Sequence, residues 1–385
     1  MRRKNDSRPA FNSRPFLIHA SSGEFEYARS LIRELNLNYP EIPIVVTYFS
    51  PSYAKTISEV KGIAHHQPLP LDLPGPVRQF LKTLKPRALM IARTDLWPEL
   101  LQQAQNEKIP TLLFSATCRP FTSWRGLFKT YHQFVYSLIN QIFVVSESDL
   151  NSLKSIGVTH AVIKGDTRYD QVIYRLEHPK PIKPILKNNK PLIVVAGSTW
   201  PEDEAAFLEG ALPLLKDNLI SLILVPHEVS QTHVSALHDW FLKNEISSVL
   251  YSEMKDWQTS VLIVDQVGIL AEIYAHGDAA FVGGSFRSKV HSVMEPLAAG
   301  LPTLVGPFHA NNREAVEFQK SNLPALENSA VRCVRDREEV TAALRQLVES
   351  QVQLSAAHEQ IRDLVLKKTK ATSEVLRWCE NLLIK

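Results

Sequence analysis

Short apolar runs alternate along the chain with longer segments of helical period. "PFLIHA" (15–20), "IPIVVTYF" (42–49), "ALMIA" (88–92), "TLLFSA" (111–116) and "QIFVVS" (141–146) have the length and composition of buried strands. Between them lie amphipathic stretches such as "EFEYARSLIRELNLNYP" and "VRQFLKTLKP". Strand, helix, strand at this spacing predicts a parallel sheet covered on both faces. A second series opens at "PLIVVAGS" (191–198) and continues through "SLILVPH" (221–227), "SVLIVD" (260–265), "AAFVGG" (279–284) and "PTLVG" (302–306). The intervening "EHPKPIKPILKNNKP" (177–191) is rich in proline and lysine, disfavours regular structure and reads as a linker. The expected class is α/β with two doubly wound domains. Their boundaries are placed at 1–178 and 192–355, with a linker at 179–191. Residues 356–385 form a C-terminal helical segment able to pack back on the N-terminal domain.

Composition then removes several function classes. The 385 residues are 44% hydrophobic and 22% charged, an ordinary soluble balance with enough apolar content for two cores. A net charge of +3 gives no ground for a nucleic-acid partner. No stretch approaches the ~18–20 apolar residues of a membrane span. The basic N-terminus "MRRKNDSRPAFNSRP" lacks the apolar core of a signal peptide. Three scattered cysteines make neither a disulfide framework nor a metal cluster. The chain reads as cytoplasmic. One segment stands out: "CRPFTSWRGLFKTYHQFVYSLINQ" (118–141) interleaves Arg119, Arg125 and Lys129 with Trp124, Phe128, Tyr131, Phe134 and Tyr136. It is either an amphipathic helix with its aromatics in the core, or a basic aromatic surface for an anionic membrane.

In open parallel sheets, ligands bind beyond the carboxyl ends of the strands. That rule selects the polar loops. "ASSGEFE" (20–26) ends a strand and opens a helix, so Glu24 is either a capping carboxylate or a general base, with Ser22 and Gly23 beside it. "AGSTWPEDE" (196–204) places Ser198 and Thr199 before a proline-initiated helix, as an N-cap or an anion site. G-x-G-x-x-G and G-x-x-x-x-G-K-[ST] are absent, which removes the usual signatures of dinucleotide and P-loop chemistry. H-E-x-x-H and H-x-x-E-H are absent too, and no metal is expected. His291 and Glu295 are spaced i, i+4, which on one helix puts both on one face. Such a pair is a surface salt bridge or, beside a glycine turn and before "AAGLP", a nucleotide site with the carboxylate on ribose hydroxyls.

"DQVGILAEIYAHGDAAFVGGSF" (265–286) and "HSVMEPLAAGLPTLVGP" (291–307) resemble the Kdo transferases of lipopolysaccharide synthesis. "SSGEFEYARSLIRELNLNYPEIPIVVTYFSP", "LPLDLPGPVRQFLKTLKPR", "TDLWPEL", "VSESDL", "GDTRYD" and "AGSTWPEDE" follow that family's order from about residue 15 to beyond 320. The resemblance implies a GT-B glycosyltransferase fold, with two Rossmann-like domains facing a central cleft. It also implies inverting, metal-independent and cofactor-free transfer of 3-deoxy-D-manno-octulosonic acid (Kdo) from CMP-Kdo to a lipid A precursor. The expected setting is the cytoplasmic face of the inner membrane of a Gram-negative bacterium, with peripheral attachment. On this likeness Glu24 is the base and Arg168 stabilises developing negative charge. The CMP-binding segments fall on Pro226 and His227, on Val267, Gly268 and Ile269, and on Ser292, Val293, Met294 and Glu295.

The chain also departs from the family pattern. Arg93 in "ARTDLWP" stands where an acidic transition-state residue is common, and His227 in "VPHEVS" where an arginine is usual. "HASSGE" is one residue shorter than the common motif, "SFRSKVHSVME" replaces a glycine-bearing loop, and the family's N-terminal hydrophobic anchor has no counterpart in these residues. An epimerase of the same architecture, releasing UDP, and a catalytically silent nucleotide-sugar-binding module are the competing expectations.

Overall fold

The computed structural model describes residues 11–121, 128–186 and 191–384, and the chain divides into two units, Met1–Gln171 with Lys368–Lys385, and Val172–Lys367. The first unit carries seven parallel strands: β1 (Phe16–His19), β2 (Ile44–Tyr48), β3 (His65–Pro68), β4 (Ala88–Ala92), β5 (Thr111–Ala116), β6 (Gln141–Val144) and β7 (Ala161–Ile163). Their order is β3-β2-β1-β4-β5-β6-β7, with Leu17 in register with Val45 and Leu89. Side chains of a strand alternate between faces. Leu17, Val45, Leu89 and Ile91 therefore enter one core, and Phe16, Ile18, Ile44, Val46 and Met90 the other. Helix Phe25–Asn38 covers the second core together with the last helix, Ala371–Leu383, whose Val375 and Cys379 are buried there.

A buried hydroxyl network ties these parts. Thr167 Oγ1 donates to the Tyr27 carbonyl (2.7 Å), its N–H donates to Ser115 Oγ (3.0 Å), and its carbonyl accepts from Ser30 Oγ (3.2 Å). Ser30 in turn bonds Thr372 Oγ1 at 2.8 Å. Asp170 accepts from the N–H groups of Lys370 (2.6 Å) and Thr372 (2.8 Å), which starts the last helix.

The second unit repeats the plan with β8 (Leu192–Thr199), β9 (Ile220–Pro226), β10 (Ser248–Leu250), β11 (Val261–Ile263), β12 (Ala279–Val282), β13 (Thr303–Val305) and β14 (Val331–Cys333). All pairs are parallel, in the order β10-β11-β9-β8-β12-β13-β14. Ile193, Val195, Ile223, Leu262 and Ala280 line one face with Tyr251, Trp257 and Tyr274. On another contact Phe207 stacks on Phe281 at 4.6 Å. In each sheet the chain begins centrally and reverses direction, between β1 and β4 and between β8 and β12, which are the switch points where such sheets bind ligands.

Two expectations about boundaries change. The expected linker at 179–191 has no regular structure where it is described, but it is docked on the second unit: Ile185 is buried, and the Lys183 N–H donates to Tyr251 Oη at 2.7 Å. The unit boundary falls earlier, inside helix Thr167–Glu177. The C-terminal segment divides as well. Helix Leu354–Leu366 stays with the second unit, where Arg362 donates to the Ala299 carbonyl and His358 bonds the Asp278 carbonyl, and only Ala371–Leu383 joins the first. Among the described residues no helix is long and apolar enough to cross a membrane.

The end of β12 presses on the end of β8. A Cβ built on Gly283 would lie 2.2 Å from the Ser198 carbonyl oxygen and 2.6 Å from Thr199 Cα, both backbone atoms. Gly283→Ala should destabilise the protein by on the order of 1–3 kcal/mol in denaturant titration. A loss below ~0.5 kcal/mol would mean that the two strand ends part freely.

Candidate functional site

At the carboxyl end of the first sheet, Glu24 occupies the N-cap position of helix Phe25–Asn38 but makes no capping hydrogen bond. Its Oε2 turns back instead and accepts from the N–H and Oγ of Ser22, each at 3.1 Å. One turn on, the buried Tyr27 gathers two cations. Arg93 Nη1 donates to the Tyr27 hydroxyl and its Cζ lies 4.9 Å from the ring centroid, while Arg168 Cζ lies 5.9 Å from the same centroid. Arg93 follows β4 directly and has φ 67°, left-handed backbone that is uncommon outside glycine and concentrates at functional sites. Tyr53 borders the same group, its Oη 3.6 Å from where a Cβ on Gly23 would sit. Burial first, then the Glu26 and Glu24 carboxylates, raise the Tyr53 phenol, against Arg168.

Beneath them His19 is fully buried, with Nδ1 3.0 Å from Thr47 Oγ1 and Nε2 2.8 Å from Asp95 Oδ2, close as an ion pair but not aligned as a hydrogen bond. Burial would lift the Asp95 carboxyl, yet the His19 ring, the Ser21 hydroxyl and the Trp97 N–H outweigh it and hold the group below its ordinary value.

In the second unit Ser198 and Thr199 act neither as an N-cap nor as an open hydroxyl pair. Ser198 adopts φ 55°, and the Thr199 hydroxyl donates to Glu204 at 2.9 Å. The N-cap of helix Pro201–Lys216 is Trp200. The fully buried Asp203 carboxylate accepts from three backbone N–H groups, those of Trp200 (2.9 Å), Gly284 (2.6 Å) and Phe286 (2.8 Å). Burial lifts this carboxyl above its ordinary value against the pull of those bonds. Trp200, so placed, stacks on His227 at 4.5 Å, and His227 stacks on His291 at 4.4 Å. Trp200 Nε1 donates to His291 Nε2 at 3.0 Å, and the Arg287 guanidinium covers the indole at 3.9 Å.

The His291/Glu295 pair is not a same-face pair. The helix runs from Met294 to Ala298, so His291 precedes it. Ser292 Oγ donates to the Glu295 carboxylate and accepts from the Met294 N–H (3.3 Å), which sets the helix start. Val293 and Met294 are core residues. Pro226 is buried at the end of β9, Val267 is exposed, Gly268 has φ 84° and Ile269 is buried. Arg175 holds that loop, donating to the Gly268 carbonyl (3.3 Å) and to Glu272 (3.0 Å). Among the described residues no hydrogen bond or ring contact joins Val267–Ile269 to the Trp200–His227–His291 stack. The structure thus brings Ser22, Glu24, Arg93 and Arg168 around one tyrosine, and His227 with His291. Sequence reasoning passed over Tyr27, Trp200, Asp203 and Arg287. Only Tyr27, three residues from Glu24 on one helix, carried a usable signal.

Residues 2–171 match the family model described as 3-deoxy-D-manno-octulosonic-acid transferase, or Kdo transferase. These residues belong to the Kdo-transferase family. The matched part takes in Ser22, Gly23, Glu24, Arg93 and Arg168. Beyond it, the chain is 28% identical over 343 residues to the 3-deoxy-D-manno-octulosonic acid transferase of Haemophilus influenzae, covering 83% of this chain and 79% of that one. It is 26% identical over 360 residues to that of Aquifex aeolicus, covering 91% of each. Among solved structures, UDP-GlcNAc 2-epimerase from Neisseria meningitidis aligns with a TM-score of 0.63 at 15% identity, over 96% of this chain and all of that one. A glycosyltransferase from Rickettsia africae aligns at 0.60 and 11% identity, over 97% and 99%. These likenesses establish the GT-B fold of the chain and say nothing of its reaction.

Burial foremost, then His227 and Lys289, push His291 down from 6.5 to about 4. The unfolded chain takes up this proton near 6.5 and the folded chain only near 4, so the group leaves stability unchanged above 6.5 and lowers it as pH falls towards 4. After allowance for solvent screening the loss is on the order of 1–2 kcal/mol. His291→Phe keeps a ring in the stack and removes the proton. Its melting temperature should fall less steeply than that of the wild type between those two pH values, and parallel curves would remove the His291 contribution.

Proposed function

We propose that the chain is an inverting glycosyltransferase that moves Kdo from CMP-Kdo to a lipid A precursor. The observation that carries this reading is the Glu24 carboxylate, which lies within the family match, at the carboxyl end of a switch-point strand, and is not engaged by the helix it begins. In this reading Glu24 takes the proton from the acceptor hydroxyl. The freed oxygen attacks the anomeric carbon of Kdo, and CMP leaves with the bonding electron pair. Arg168 stabilises the negative charge that builds up, and Arg93 adds a second cation. Positioning the two substrates lowers the barrier most, because the nucleotide is already a good leaving group. Neither a metal ion nor a cofactor enters this scheme. The likeness to epimerases extends to the fold alone.

Glu24→Gln keeps shape and hydrogen bonding but removes the base. Transfer from CMP-Kdo to a lipid A precursor, followed by mass spectrometry of the product, should fall by roughly 10²–10⁴-fold with the circular dichroism spectrum unchanged. Wild-type rates in this variant would refute Glu24 as base. UDP release from UDP-GlcNAc by the wild type, with no Kdo product, would favour the epimerase.

A lipid acceptor calls for peripheral contact with the cytoplasmic face of the inner membrane. Support comes from helix Lys129–Ser137 and its N-cap, where Phe128, Tyr131 and Phe134 are 51%, 51% and 50% exposed while Val135 and Tyr136 enter the core. Trp124 and Arg125 lie outside the described residues. Half-exposed aromatics beside Lys129 suit the interface of an anionic bilayer. The triple variant Phe128→Ser, Tyr131→Ser, Phe134→Ser should co-sediment less with anionic vesicles, with CMP binding by calorimetry unaltered. Equal co-sedimentation of both proteins would place membrane contact elsewhere.

A further inference from the structure

We infer that Arg93 forms an oxyanion-binding subsite, taking a phosphate or carboxylate group of a substrate. The inference rests on the reading above only for the identity of that substrate. Three independent observations converge on this residue. Its backbone lies at φ 67°, so a side chain is carried where glycine is easiest to accommodate. Its guanidinium is half-buried, and among the described residues its sole hydrogen-bond partner is the Tyr27 hydroxyl, an uncharged group. Arg29 and Arg33 in the same unit instead meet the carboxylates of Glu26 (2.8 Å) and Glu34 (3.5 Å). Lastly, a second guanidinium, that of Arg168, shares the Tyr27 ring.

Two like charges near one ring repel each other, and an anion bound at Arg93 lessens that repulsion. Arginine has five N–H donors in a planar fork. Tyr27 engages one end of the Arg93 fork and fixes its direction, which leaves the rest to grip two oxygens of one oxyanion side by side. The buried tyrosine is thus a positioning residue, and Arg93 is the group that meets the ligand.

The test titrates the full chain separately with inorganic phosphate and with free Kdo, which carries a carboxylate and no phosphate, and reads the dissociation constants by calorimetry. Arg93→Gln should weaken binding of one probe by about tenfold or more. Arg93→Lys, which keeps the charge and loses the fork, should recover part of that loss. Tyr27→Phe, which keeps the ring and removes the anchoring oxygen, should cost a smaller factor, and Arg29→Gln should change nothing. The probe affected tells a substrate phosphate from the sugar carboxylate. Equal affinities for both probes in wild type and Arg93→Gln overturn the inference, and so does a wild type that binds neither. Arg93-dependent phosphate binding in a protein that makes no Kdo product would leave the subsite standing and remove the transferase reading.

Discussion

The first unit's polar chemistry hangs on one buried residue without charge, Thr167. A parallel sheet ends in a row of loops whose backbone groups need partners from outside the ladder. Thr167 supplies them in three directions, to the Tyr27 carbonyl, Ser115 and Ser30. Each such bond contributes about 0.5–1.5 kcal/mol net, and an orphaned buried partner costs about 1–3 kcal/mol. Tyr27 is thereby held by its backbone, Arg93 is held by Tyr27, and Arg168 is the next residue in the chain. The positions of two guanidiniums are thus set by a hydroxyl that touches neither.

The second unit solves the same problem with a carboxylate. Asp203 draws three N–H groups, from Trp200, Gly284 and Phe286, to one point. It joins the loop after β8 to the glycine turn after β12, and Trp200 then stands against His227 and His291. The two sheets share a topology, yet one presents guanidiniums and a carboxylate at its carboxyl end and the other a stack of three aromatic rings under an arginine.

Ten strands were legible as apolar runs because central strands of parallel sheets are buried on both faces. The four that left no such trace, "HHQP", "AVI", "SVL" and "VRC", are the four sheet edges, three or four residues long and partly exposed. An edge strand pairs on one side only and has no need of a continuous apolar run. At the site, Glu24 could be singled out by position and Arg168 by the family likeness; Tyr27 shares a helix face with Glu24, but its role as the anchor of Arg93 depends on side-chain direction. The His291/Glu295 misreading had a visible remedy. Proline fits a helix best in its first turn, so Pro296 already pointed to a helix start later than His291.

The last helix returns to the first unit some two hundred residues after the chain has left it. Until Ala371–Leu383 emerges from the ribosome, the apolar surface that Val375 and Cys379 cover has no lid, and Asp170 and Ser30 lack their partner Thr372. Synthesis therefore makes the second sheet while the first still waits for its closing piece. At ordinary elongation rates of about 5–20 residues per second, that interval lasts roughly ten seconds or more. The nascent first unit is then a sticky, incomplete body for most of its own translation, and a natural client for chaperones.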